Sequence, residues 1–227
     1  MPRLRTTLVP SGVLPRDPAL RIRMARAIAP VAGEPEVVTR FVSALPSGVW
    51  NVEDKNGAVT LSNGDMTVVS AANPAGIHGS TLRSLGKRYF EVVVDRTNLA
   101  ASSPMIGIAK ADQFGTGTEA YLILTSGVSF YIYGTGFVGG SLGIANGDVV
   151  MVAVSFDDHL IWFGLNGVWL GGGDPEAGTD AIASIDSGRY FPHYWDTNTS
   201  GTPGQGTARF TEDRQQYPLP DGYSAWG

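Results

Sequence analysis

Apolar side chains recur with period two along Val150, Val152, Val154 and Phe156, and a second β-rich run, His159 to Phe163, follows directly after Asp157-Asp158. Such alternation buries one face of a strand, and two short polar residues between two such runs let the chain reverse. Asn166-Gly167 comes next, the pair that best tolerates the positive φ of a tight hairpin turn. A meander of this kind predicts an all-β chain, an antiparallel two-sheet sandwich. It also points to a surface that binds something, because no acid–base machinery lies in these runs.

The chain has 227 residues, enough for one sizeable β domain over 46–227 and a short segment before it. Thirty Gly, fourteen Pro and only 16% charged residues suit short strands joined by tight turns. With no cysteine, disulfides, thiolate metal sites and cysteine nucleophiles are all excluded. No run approaches the ~18–20 apolar residues that cross a bilayer, and the first residues lack the apolar stretch of a secretory leader. A soluble protein without membrane insertion is expected.

Charge is divided unevenly. Residues 1–40 carry seven Arg against Asp17, Glu34 and Glu36, whereas the remainder holds nine Lys/Arg against eighteen Asp/Glu. An acidic sandwich repels phosphate backbones, so nucleic acid is not an expected partner. Pro2, Pro10, Pro15, Pro18, Pro30 and Pro35 interrupt the basic segment too often for a long helix or a central strand. The stretch from Ala19 to Ala29 fits a short helix and an extended strand equally. Its apolar groups are too many for a tail left in water. Residues 1–45 are therefore expected to form an anchoring arm on another subunit, through Arg3, Arg5, Leu8, Leu14, Leu20, Arg21, Ile22 and Arg23. The competing expectation is that the segment wraps an edge of its own sandwich.

A search for catalytic chemistry returns little. His78, His159 and His193 lie far apart, with none of the short spacings of metal ligands. His159 is read as the first residue of a strand. Gly134-Thr135-Gly136-Phe137-Val138-Gly139 satisfies GxGxxG, but a dinucleotide site needs a helix after it, and Ser141 to Gly147 reads as strand and turn. Glu91 and Asp95 share a face of one strand about 13 Å apart, too far for the ~5–5.5 Å carboxylate pair of a retaining glycosidase. No enzyme, metal or cofactor is expected.

Two segments are richer in contact chemistry than packing requires. In the first, Tyr131, Tyr133 and Phe137 are expected to project together. In the second, a strand ends in His193, Tyr194, Trp195, Asp196 and Asn198 before a Gly/Ser/Thr/Pro loop. Aromatics beside Asp and Asn offer stacking and hydrogen bonding to a sugar or a peptide. Phe130, Phe191, Trp162 and Trp169 are expected to fill the core.

Ordered motifs add a resemblance. Gly147-Asp148-Val149-Val150, Ile161-Trp162-Phe163 and Asn166-Gly167-Val168-Trp169-Leu170-Gly171-Gly172-Gly173-Asp174-Pro175 resemble the centre of the SPRY domain. So do Gly86 to Val92, Met105 to Ala109, Tyr190-Phe191-Pro192 and the closing Gly222 to Trp226, with Arg88 where the family usually has Trp. The resemblance covers roughly residues 49–226. It implies a concanavalin-like jelly-roll sandwich that recognises proteins through loops at one end. Trp50-Asn51, Asp54-Lys55 and Leu61-Ser62-Asn63-Gly64 resemble the opening of SPRY-like domains in bacteriophage structural proteins. That implies a virion component on a tail fibre, baseplate or capsid, soluble in the host cytoplasm before assembly. Its partners would be other virion subunits and a host-surface glycan or protein. A purely architectural adaptor, and more remotely a glycan hydrolase, are the alternatives.

Overall fold

The computed structural model describes residues 46–56, 58–71, 74–96, 104–110, 119–124, 130–139, 143–196 and 203–227. The anchoring residues expected within 1–45, and Asn198, lie outside them. Ala44–Gly227 form a compact unit by themselves.

Strands build two antiparallel sheets. The first holds β1 (Trp50–Asn56), β4 (Ala75–Gly79), β6 (Pro104–Lys110), β7 (Ala120–Leu124), β8 (Phe130–Ile132), β9 (Gly136–Val138) and β14 (Tyr190–Asp196), in the order β1-β4-β14-β6-β7-β8-β9. The second holds β2 (Val59–Ser62), β3 (Thr67–Ser70), β5 (Lys87–Arg96), β10 (Val149–Ser155), β11 (Leu160–Leu165), β12 (Val168–Trp169) and β15 (Gly204–Arg209), in the order β12-β11-β10-β5-β15-β3-β2. Short β13 (Ala183–Ser184) flanks β11, and β16 (Ser224–Ala225) runs parallel to β5. Among the described residues there is no α-helix.

The main core lies between the inner faces. Val150, Val152, Val154 and Phe156 meet Ile106, Ile108, Tyr121 and Ile123 there, as the period-two pattern requires. Trp50, Phe90, Phe210 and Trp226 close one region of it with edge-on ring contacts at centroid distances of 4.9–5.5 Å. Strand β10 is buried on both faces, because Met151 and Ala153 pack outward with Tyr89, Trp162 and Tyr223 in a second cluster. Tyr217 and Leu219, from the chain's last segment, pack against that cluster.

Several local expectations change. Asp157-Asp158 sit inside a four-residue turn, Phe156 to His159, and not in a two-residue one. His159 opens no strand; it takes the left-handed conformation at φ 57° that closes the turn. Asp157 accepts a hydrogen bond from the Gly86 N–H at 3.0 Å, and Asp158 accepts one from the Ser155 hydroxyl at 2.7 Å. Asn166 and Gly167 have φ of 50° and 85°, the geometry of the expected hairpin between β11 and β12. The GxGxxG match is the turn and second strand of the β8–β9 hairpin, with Gly134 at φ 80°. Phe130 fills the main core, and Trp162 is buried in the second cluster. Phe191 and Trp169 are only half-buried, and both lie outside the main core.

Candidate functional site

Strand β14 distributes the candidate residues over two surfaces. Side chains alternate along a strand, so Tyr190 and Tyr194 join the main core while Trp195 joins a separate cluster with Met105, Ala109, Leu122 and Tyr131. Tyr194 and Trp195, neighbours in the sequence, therefore cannot serve one contact surface. Tyr194 is fully buried and its ring stands edge-on to Trp50 at 6.2 Å. Burial, reinforced by the Asp196 charge, drives its phenol far above the usual range. Tyr194 is thus a core residue and not a ligand contact.

Asp196 also points inward and is fully buried. It accepts a hydrogen bond from the Ser70 hydroxyl of β3, tying the end of a central strand in one sheet to the other sheet. Gly204 fits between these groups only because it lacks a Cβ, which would lie 2.8 Å from the Tyr194 hydroxyl. Beside them, Thr207 donates to Asp95 at 2.5 Å and contacts Thr67 at 2.8 Å, hydroxyl to hydroxyl. This polar nest gives the ends of β14 and β15 a rigid base.

The outward side of β14 carries an aromatic stripe. His78 of β4 stacks on Phe191 at 5.3 Å and lies 4.7 Å from His193, its partner across the strands; His193 stacks on Trp195 at 6.2 Å. The Asp54 carboxylate lies 3.0 Å from Nδ1 of His78, and the Ile77 carbonyl 3.2 Å from Nδ1 of His193. A carbonyl only accepts, so Nδ1 of His193 carries the proton. Burial, then the neighbouring His78, lowers the His193 pKa well below its ordinary value, against a smaller opposing effect of the Ile77 carbonyl. Among the described residues no three His, Asp or Glu side chains converge where a metal could sit.

Tyr131 and Phe137 are register partners on β8 and β9, and Tyr131 is buried in the same cluster as Trp195. Tyr133 lies in the turn between these strands and is 37% exposed. Tyr133 is open to a partner, whereas Tyr131, His193 and Trp195 are buried. Sequence reasoning also missed the role of Glu91. This fully buried carboxylate accepts the backbone N–H groups of Gln216 and Tyr217, each at 2.8 Å, and the Tyr89 hydroxyl at 2.9 Å. Arg209 adds a longer ionic contact at 3.4 Å. Glu91 pins the last segment across the second sheet; its backbone N–H partners, Gln216 and Tyr217, sit about 125 residues away in sequence, so no local pattern reveals it.

No family model matches the chain, and no curated protein matches its sequence. Among solved structures, the SPRY domain of human HERC1 aligns with a TM-score of 0.58 at 14% identity, over 70% of this chain and 96% of that one. The chain has a SPRY-like fold. The likeness at this identity is one of architecture. A SPRY-like sandwich leaves its loops at the ends of the sheets, and the Asp196 nest stiffens one such end.

Proposed function

We propose that this protein is a non-enzymatic recognition module of a bacteriophage virion. Its SPRY-like sandwich is displayed for contact with a host-surface protein or glycan, and residues 1–45 join it to another virion subunit. The observation that carries recognition over chemistry is the use made of buried charge. Glu91 and Asp196, the fully buried carboxylates among the described residues, are both spent on structural contacts: one clamps a terminal segment, the other braces a sheet end. A glycosidase needs a carboxyl pair facing a substrate, and these two face hydrogen-bond donors of the protein itself.

The virion setting is supported by the Trp50 to Gly64 opening and by the Pro/Arg-rich composition of residues 1–45. A basic, proline-punctuated segment suits docking on a larger assembly, and an acidic sandwich suits outward display. Removing residues 1–40 should leave a soluble, folded sandwich that no longer enters particles. Normal incorporation of the shortened chain would defeat the anchoring role. Tyr133→Ala particles should assemble normally and adsorb to host cells less well; unchanged adsorption by that variant, and by one altered at Asn198, would favour pure architecture.

A further inference from the structure

A cleft of about 290 Å3 opens on the outer face of the second sheet, and none of the described binding candidates lines it. Met151 of β10, the hairpin glycine Gly167, Trp169 of β12, Tyr217, Pro218 and Pro220 contribute to its lining. The walls are held in place. A Cβ on Gly164 would come within 3.0 Å of the Trp169 indole, and one on Gly167 within 2.8 Å of the Tyr217 ring. Both aromatics therefore pack closely against glycine backbone, where a side chain would not fit. Glu91 fixes the Tyr217 segment through the Gln216 and Tyr217 N–H groups, and two prolines stiffen it further.

Glu176 and Asp221 complete the lining, and both are exposed. The Glu176 carboxylate accepts the Asp221 N–H at 3.1 Å, which holds the two acids side by side. Among the described residues neither pairs with a Lys, Arg or His. Two aromatic side chains and two carboxylates without a Lys, Arg or His counter-ion among the described residues make a receptor for a cation on an apolar stem. The lining includes no Asn, Gln, Ser, Thr, Arg or Lys. Its side-chain donors are limited to the Trp169 indole N–H and the Tyr217 hydroxyl, whereas its two carboxylates accept, so the set favours a ligand rich in donors.

We propose that the cleft receives an arginine side chain carried on an extended segment of a partner protein. The planar guanidinium packs against the cleft's aromatic side chains and reaches Glu176 and Asp221, where carboxylates match its fork of donors. The idea rests on the cleft alone and stands apart from the virion reading.

The test uses the full chain, labelled with 15N at tryptophan indoles and 13C at methionine methyls, titrated with the blocked pentapeptide Gly-Pro-Arg-Pro-Gly. Saturable shifts are expected at Trp169 and Met151. Raising NaCl from 50 to 500 mM should weaken binding several-fold, as should Glu176→Gln combined with Asp221→Asn, and Trp169→Ala should abolish it. Spectra of the variants report whether each remains folded, and the two acid-to-amide changes lie on exposed side chains where folding is not at stake. The same peptide with citrulline in place of arginine should not bind. Equal binding of the citrulline peptide, tighter binding of the lysine peptide, or shifts at these residues with cellohexaose but not with the arginine peptide would each overturn the proposal.

Discussion

His193 illustrates how one residue's surroundings set its behaviour. Its ring is fully buried, stacked on Trp195, close to His78 and bonded to a backbone carbonyl. Desolvation is the first cause of its depressed pKa, so the folded protein holds it neutral while the unfolded chain titrates near 6.5. The unfolded state then binds more protons as pH falls. The stability this residue contributes is complete above pH 6.5 and is lost progressively below it, at up to ~1.4 kcal/mol per pH unit. Urea titrations at pH 7 and 5.5 should show His193→Phe losing about 1 kcal/mol less than the parent over that interval. Parallel losses in the two proteins would mean that another group carries the acid sensitivity. The alternation of Phe191, His193 and Trp195 was visible in the sequence. That they form a buried stripe was not, because adjacent candidates such as Tyr194 and Trp195 read as one aromatic cluster until the strand's two faces are assigned.

At the scale of elements, legibility followed locality. The β10 alternation, the Asn166-Gly167 hairpin and the Asp157-Asp158 reversal were readable because each is decided by residues within a few positions. The length of that reversal was misjudged by the conformational freedom of one residue, His159, whose left-handed φ extends the turn. Trp169 was expected in the main core because aromatic content alone does not say which face of a sheet a residue takes. Strand β10 is covered on its second face by a segment from the far end of the chain, which makes its run VVMVAVS look more apolar than a one-sided strand should. Long-range fit of the same kind explains Gly107 in the middle of β6. A Cβ there would collide with the Tyr121 carbonyl of β7 and approach the Leu122 Cα at 3.0 Å. Both are backbone atoms of a paired strand and cannot swing aside as a side chain would. Gly107→Ala should therefore cost about 3 kcal/mol, the upper end for overpacking, read as a lowered urea midpoint. A cost below about 1 kcal/mol would mean that the β6–β7 ladder shifts to accept the methyl.

For the whole molecule, what matters is how late the chain closes on itself. Strand β15 lies between β5 and β3, so β2 and β3 join the second sheet only through residues 204–209. Strand β14 likewise stands between β4 and β6 in the first sheet, and β16 returns to β5. Both sheets are thus completed by the last forty residues, across sequence separations that place this sandwich among the slow, non-local folders. Trp226 sits at the end of that closure. It is fully buried, stands edge-on to Phe90 and Phe156, and donates its indole N–H to the Thr81 carbonyl at 2.8 Å; Arg83 donates to its own carbonyl at 3.0 Å. Its contacts span both layers of the sandwich, so its loss acts on the molecule as a unit and not on one sheet. Trp226→Ala should destabilise by about 3–5 kcal/mol, the range for removing a buried aromatic side chain. The unfolding transition should stay single, because Phe90, Phe156 and Phe210 belong to one continuous core. Two separate transitions, monitored by far-UV dichroism and tryptophan fluorescence, would show that the sheets unfold independently and that the closing segment merely covers an already finished sandwich.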